Sequence, residues 1–169
     1  PRVVLRFEPQ RCCKDIDVFS DSDHAGCLVT RRSTSGTVVM LGAHCIKTRS
    51  GMQSTLSLSS GESEYYAAVK AAALGLSLQA LLNDWNIAVK ITILSDSSAA
   101  RGTASRRGLG KLRHIQTRYL WLQERVAEKD LQVISVPTSV NIADLFTKSL
   151  TEQRISEDRK STRLNSSHT

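Results

Sequence analysis

Residues 15–48 read DIDVFSDSDHAGCLVTRRSTSGTVVMLGAHCIKT, and this stretch decides the fold. Three runs in it are short and rich in β-branched residues: Ile16–Ser20, Thr37–Leu41 and His44–Thr48. Such runs predict strands. Gly42 and Ala43 alone separate the second run from the third, a gap that closes as a tight turn. Polar, turn-rich Ser22–Ser35 connects the first run to the second, with Gly36 beside it. The three strands form an antiparallel meander.

Downstream of the meander the pattern changes from strands to alternating helices and strands. The Ser-rich stretch Ser54–Ser60 leads to a long helix from about Gly61 to Asn83. Val69, Ala72, Ala73, Leu76 and Ala80 follow helical spacing, while Leu74, Leu78 and Leu81 make the opposite face apolar too. A helix apolar all round is covered on most sides. Ile91–Ser95 reads as a fourth strand and Ser97–Ala104 as a short helix. Arg106–Arg113 is a Gly-rich basic loop. An amphipathic helix follows, with Ile115, Tyr119, Leu122 and Val126 on one stripe. Leu131–Val136 is a fifth strand, and Asn141 caps a last helix ending near Leu150. The expected class is α/β: a five-stranded mixed sheet, three antiparallel strands then two parallel to the first, flanked by helices.

Composition narrows the function classes. Among 169 residues, 40% are apolar and 23% charged, which excludes a disordered or collagenous chain. The formal charge is +7, with an isoelectric point near 9.6, so a polyanionic partner is one reading and a merely basic surface the other. The most apolar stretch, Ala67–Leu82, is too short to span a bilayer and contains Lys70. No membrane partner is expected. Cys12, Cys13, Cys27 and Cys45 form no C-x-x-C pair, so they read as reduced thiols in an intracellular protein.

Four acids stand where α/β sheets do chemistry. Asp21 follows the first strand and Asp96 the fourth, and strand ends at a switch in strand order line a ligand crevice. Glu64 lies in the first turns of the long helix, and Asp144 in the first turn of the last. Each also has a plain reading as a helix cap or macrodipole partner. Taken together they would repel one another and rise in pKa. Divalent cations remove that conflict, and hard oxygen ligands suit Mg²⁺. Two such ions can clamp the attacking water and leaving oxygen of a phosphodiester, so the reaction class is metal-assisted phosphodiester hydrolysis.

Several separated motifs carry a family resemblance. They are Ser20-Asp21-Ser22-Asp23-His24-Ala25-Gly26-Cys27, Thr30-Arg31-Arg32-Ser33-Thr34-Ser35-Gly36 and Leu58-Ser59-Ser60-Gly61-Glu62-Ser63-Glu64-Tyr65. Leu94-Ser95-Asp96-Ser97, Arg113-His114-Ile115 and Asn141-Ile142-Ala143-Asp144-Leu145-Phe146-Thr147-Lys148 continue the series. In this order they resemble the ribonuclease H domain of copia-type LTR-retrotransposon Pol polyproteins. The resemblance implies a ribonuclease H-like fold and hydrolysis of the RNA strand of RNA/DNA hybrids. It also implies a two-metal site, with Mg²⁺ or alternatively Mn²⁺, on Asp21, Glu64, Asp96 and Asp144. Glu62 competes with Glu64 for the second position. Glu64 is preferred because the family pattern puts its acid immediately before residues matching Tyr65-Tyr66-Ala67-Ala68.

The resemblance has departures. Cellular ribonucleases H often carry a His in the loop before the last acid, and Pro137–Ala143 contains none. His114, near Lys111, Arg113 and Arg118, reads either as a phosphate contact or as a histidine satisfied at a helix start. The family usually has an aromatic residue at the position of His24, and Ala or Thr at that of Gly61. Hybrid recognition is expected from phosphate and 2′-hydroxyl contacts. Its candidates are Ser22, Arg31, Arg32, Ser59, Ser60, Lys111, Arg113 and His114.

Residues 1–14 read as the connection from a reverse transcriptase upstream in the same polypeptide, and 15–150 as the ribonuclease H domain. Residues 151–169 read as a disordered tail, in which Asp158–His168 (DRKSTRLNSSH) resembles a translated sequencing adapter. The isolated domain is expected to be monomeric and to act in a cytoplasmic retrotransposon particle or the nucleus. The competing reading is a catalytically decayed, hybrid-binding or connector fragment. Loss of one of the four acids would favour it, and all four are present.

Overall fold

In the computed structural model, which describes residues 7–10, 14–108, 110, 114, 115 and 117–148, the five expected strands pair as one sheet. They are β1 (Asp15–Ser22), β2 (Thr34–Leu41), β3 (His44–Met52), β4 (Lys90–Ser95) and β5 (Leu131–Ser135), in spatial order β3-β2-β1-β4-β5. The β1–β2 and β2–β3 pairs are antiparallel, and β1–β4 and β4–β5 are parallel. This is the mixed sheet that the meander and the later α/β alternation imply.

Period-two burial explains the central strands. Ile16 and Val18 of β1, and Ile91 and Ile93 of β4, are buried in the core. Each such side chain contributes about 1.5–3 kcal/mol. The long helix α1 (Ser60–Asp84) lies on this face. Its contact side is made of small residues, with Ala68, Ala71 and Ala72 fully buried. At Gly75 a Cβ would come within 3.0 Å of Ile91 Cγ2 and 3.2 Å of Val18 Cγ2. Small side chains therefore let the helix backbone approach the sheet closely. Ala100 and Ala104 of α2 (Ser98–Ser105) and Leu122 of α3 (Trp121–Ala127) complete the same core.

Several expected details change. Strands β1, β2 and β3 are longer than their apolar runs, because ladder hydrogen bonds continue into polar residues. Asp21 thus lies inside β1, paired with Gly36, rather than after the strand. Helix α1 is covered all round only in its first half, where Tyr65, Tyr66, Ala67, Ala68 and Val69 are all buried; in its second half Ala73, Ala80 and Leu81 are exposed. By length and composition α1 is apolar enough to cross a membrane, which the shorter stretch Ala67–Leu82 is not, yet its small-residue face is packed on the sheet.

The amphipathic helix is broken into a 3-10 turn (Thr117–Tyr119) and α3. The cause is visible at Tyr119, whose carbonyl accepts the Tyr65 hydroxyl at 2.8 Å. Gln123 N–H bonds to Leu120 O instead. The stripe itself holds, since Ile115 and Leu122 are buried. The last helix is a 3-10 segment, Ile142–Phe146, not an α-helix. Asn141 does cap it, accepting from Ala143 N–H, but its amide also donates to Ser20 O at 3.1 Å. That bond ties the segment to β1. The readings of residues 1–6, Cys12, Cys13, Lys111, Arg113, the helix end near Leu150 and the tail 151–169 lie outside the described residues.

Candidate metal centre

The parallel register of β1 and β4 pairs Phe19 with Leu94. Asp21 and Asp96 each lie two residues further along, so they emerge side by side. Glu64 comes to the same point from the second turn of α1. Carboxylate oxygens of Asp21, Glu64 and Asp96 lie within 4.8 Å of one another. The backbone N–H of Ser22 donates to Glu64 Oε1 at 3.3 Å, and the Ser22 hydroxyl pairs with Ser63 Oγ at 3.0 Å. The other oxygen, Glu64 Oε2, is buried and has no hydrogen-bond partner.

Electrostatics record the crowding. Burial, then the charges of Asp21 and Asp96, push Glu64 up to about 8. Burial also raises Asp21, to about 6, with Asp144 adding repulsion and Thr147 and Lys148 opposing it. A buried carboxylate oxygen without a donor is costly in the charged form. A hard cation at this point would supply the missing partner for Glu64 Oε2 and offset the repulsion. The residues present therefore fit a divalent metal.

Asp144 is buried beside Asp21, but outside the three-acid group. Lys148 Nζ lies 3.0 Å from Asp144 Oδ1 and 3.9 Å from Asp21 Oδ2. The Thr147 hydroxyl donates to Asp21 Oδ2. Gly36 makes this approach feasible: a Cβ there would meet Ala143 O at 2.6 Å and Thr147 Cγ2 at 2.8 Å. Sequence reasoning missed Thr147 and Lys148 as parts of the site. The available signal was the lysine four positions after Asp144, a spacing at which opposite charges meet.

Glu62 occupies a different environment from Glu64. It accepts from Leu58 N–H at 2.9 Å, from His114 Nε2 at 2.8 Å and from the Tyr66 hydroxyl at 2.5 Å. Burial alone would raise it, but the bonds from Tyr66, His114 and Leu58 hold it below the usual glutamate range. Ser59 caps α1 by accepting from Glu62 N–H at 3.2 Å. Glu62 thus works as a helix-start brace. His114 faces this carboxylate, with 43% of its side chain exposed.

The remaining substrate candidates divide by exposure. Arg31, Arg32, Ser59 and Ser60 are exposed, whereas Ser22 is buried and engaged with Ser63 and Glu64. The loop carrying Arg31 and Arg32 is tied to the approach to α1, because Ser33 Oγ accepts from Ala25 N–H and pairs with Ser57 Oγ at 3.1 Å. His24 Nδ1 lies 3.5 Å from the same Ser57 hydroxyl. At Gly61 a Cβ would sit 2.8 Å from Ala99 Cβ, so the α1–α2 contact favours glycine.

No family model matches the chain. Solved structures of ribonucleases H share its fold. Ribonuclease H1 of Halobacterium salinarum superposes with a TM-score of 0.57 at 13% identity, covering 85% of this chain and 98% of that one. LC11-RNase H1, crystallised in complex with an RNA/DNA hybrid, gives 0.52 at 15% identity, covering 78% and 93%. The chain therefore has the ribonuclease H fold. Over 132 residues, 77% of its length, it is 28% identical to the retrovirus-related Pol polyprotein from transposon TNT 1-94 of Nicotiana tabacum. It is homologous to a segment of a retrotransposon Pol polyprotein, and spans 10% of that relative's length.

Proposed function

We propose that the chain is a metal-dependent endonuclease that hydrolyses the RNA strand of RNA/DNA hybrids during retrotransposon reverse transcription. The observation that carries this reading is the convergence of Asp21, Glu64 and Asp96 within 4.8 Å, with Glu64 Oε2 buried and unpartnered. The ribonuclease H fold, the hybrid bound by LC11-RNase H1 and the Pol homology all support it.

Asp21, Glu64, Asp96 and Asp144 would hold Mg²⁺, or alternatively Mn²⁺. When bound, such ions supply a water activated for attack and positive charge against the phosphodiester. The chain's own groups set the stage for this. Ser22 N–H fixes the orientation of Glu64, and the Thr147 hydroxyl fixes that of Asp21. Ser20 O anchors the Asn141 cap and so places Asp144 at the end of β1. The net charge of +7 draws in a polyanion. Arg31, Arg32 and the first backbone amides of α1 at Ser59–Ser60 would contact its phosphates.

In the intact polyprotein a reverse transcriptase upstream in cis would deliver the hybrid. The domain itself would act as a monomer, in a cytoplasmic particle or in the nucleus. The test is incubation of the chain with end-labelled RNA/DNA hybrid, with Mg²⁺ and with chelator, beside an Asp96→Asn protein and a DNA-duplex control. Metal-dependent loss of the RNA strand, absent in the variant, is expected. A folded protein that binds hybrid and leaves it uncut would overturn catalysis in favour of a decayed binding fragment.

A further inference from the structure

The C-terminal wall of the acidic site is built around a cation from the chain itself. Three bonds converge on the Asp144 carbonyl: from Thr147 N–H at 3.2 Å, from Lys148 N–H at 3.2 Å and from the Thr147 hydroxyl at 3.3 Å. They fold the chain back, so that Lys148 reaches the side chain of Asp144 and points on toward Asp21. Its ammonium stands 3.0 Å from one acid and 3.9 Å from the other. Both carboxylates are almost wholly buried, while 47% of the Lys148 side chain is exposed. The acids are held in place by the fold, whereas the lysine head can swing into water on its flexible stem.

Asp21 and Asp144 are like charges buried side by side, with the Lys148 ammonium within 3.9 Å of both. Lys148 offsets the repulsion between them, in contact with Asp144 Oδ1 and close to Asp21 Oδ2. An ammonium in contact with a carboxylate weakens that carboxylate's hold on a divalent ion, because the two cations repel one another across it. We propose that Lys148 is the resident counter-cation of the Asp21–Asp144 side of the site, and that it sets divalent-metal affinity by yielding its place as the ion binds. The proposal rests on the metal-binding reading above and deepens it. It makes Lys148 a positioning residue with two opposed effects: it holds the acids together without metal, and it competes with the metal for them. Sequence spacing alone does not reveal this, since contact with Asp21 depends on β1 lying beside the last 3-10 segment.

The experiment measures binding rather than cutting. Wild type, Lys148→Met, Lys148→Arg and Asp96→Asn proteins are titrated with Mg²⁺ and Mn²⁺ by calorimetry, and melted in chelator and in metal. Lys148→Met is expected to melt lower than wild type in chelator. It is also expected to bind Mg²⁺ about fivefold tighter, as befits removal of one half-screened charge from contact with a carboxylate. Lys148→Arg should stay near wild type on both counts. Affinity that is unchanged or weaker in folded Lys148→Met overturns the proposal. If wild type binds metal, Asp96→Asn does not and Lys148→Met matches wild type, the metal site stands and only the role of Lys148 falls. If wild type takes up no metal, the metal reading falls and the competition with it. Should Lys148→Met be unfolded in chelator, the wild-type Lys148 Nζ resonance decides the matter by NMR. Competition shifts it on Mg²⁺ addition, and a resonance that stays in place overturns the proposal.

Discussion

Glu62 and Glu64 are two residues apart on one helix and meet opposite fates. Glu62 receives three donors and is held below the usual glutamate range. Glu64 receives one backbone amide, faces two other acids and is pushed up to about 8. On an α-helix, positions two apart face nearly opposite sides. Glu62 therefore looks toward Tyr66 and the segment carrying His114, and Glu64 toward the ends of β1 and β4. One side of the helix start is satisfied by the protein, and the other keeps a buried carboxylate oxygen, Glu64 Oε2, without a hydrogen-bond partner. Helical phase, not residue type, decides whether a glutamate here is satisfied by the protein.

The comparison can be broken most severely at the acidic side. Asp96→Asn or Glu64→Gln is expected to lower hybrid cleavage by more than about 100-fold, the scale on which even supporting groups of metal sites act. Single-turnover cleavage with excess enzyme measures this. On the other side, Glu62→Ala should leave cleavage chemistry its acids but cost about 3 kcal/mol of stability, because the Tyr66 hydroxyl and Leu58 N–H lose a buried acceptor. Urea unfolding reads that cost. An equal effect of Glu62→Ala and Glu64→Gln on stability would erase the distinction.

A third change acts on the wall opposite α1. Gly36→Ala drives a methyl group into the Ala143 carbonyl and Thr147. An overpacking cost of about 2 kcal/mol is expected, together with weaker metal binding as Asp144 is displaced. Unfolding and metal titration on the same sample check both parts.

The pH dependence sharpens the contrast more gently. Asp21 and Glu64 are raised in the folded chain, so their protons are held more tightly there than in the unfolded chain. Their stabilising contribution is present below the ordinary carboxylate range. It is lost as pH rises through about 6 for Asp21 and about 8 for Glu64. In chelator the melting temperature is expected to fall over that window, and Glu64→Gln should flatten the fall. Glu62 has the opposite sign: its lowered value contributes stability above the ordinary glutamate range, lost on acidification. The smallest effect is expected from His114→Ala, about 0.5 kcal/mol, since the histidine is half exposed.

Much of the fold was legible in the sequence because burial writes a period into it. Ile16 and Val18 alternate as half-buried strand residues must, whereas of the expected helix face Val69 and Ala72 are buried but Ala73 and Ala80 are exposed. The placement of Asp21 and Asp96 also followed from local signals, since each stands at the carboxyl end of an apolar run. What failed was continuity. The helix through Tyr119 breaks because Tyr65 takes its carbonyl, and the last helix tightens to a 3-10 segment whose cap also reaches Ser20. Neither partner is near in sequence, so no local pattern announces it.

The sequence by itself determined which segments are strands and which are helices, and that four acids fall near element ends. The family pattern favoured Glu64, and the tertiary structure supplied the physical reason, turning Glu64 toward Asp21 and Asp96 and Glu62 toward Tyr66 and His114. Only the tertiary structure decided that Gly36 admits the Asp144 segment against β2, and that Lys148 meets both Asp144 and Asp21. The physical reason is reach. Propensity and periodicity act over a few residues, whereas hydrogen bonds and charges act across whatever the folded backbone brings within a few ångströms.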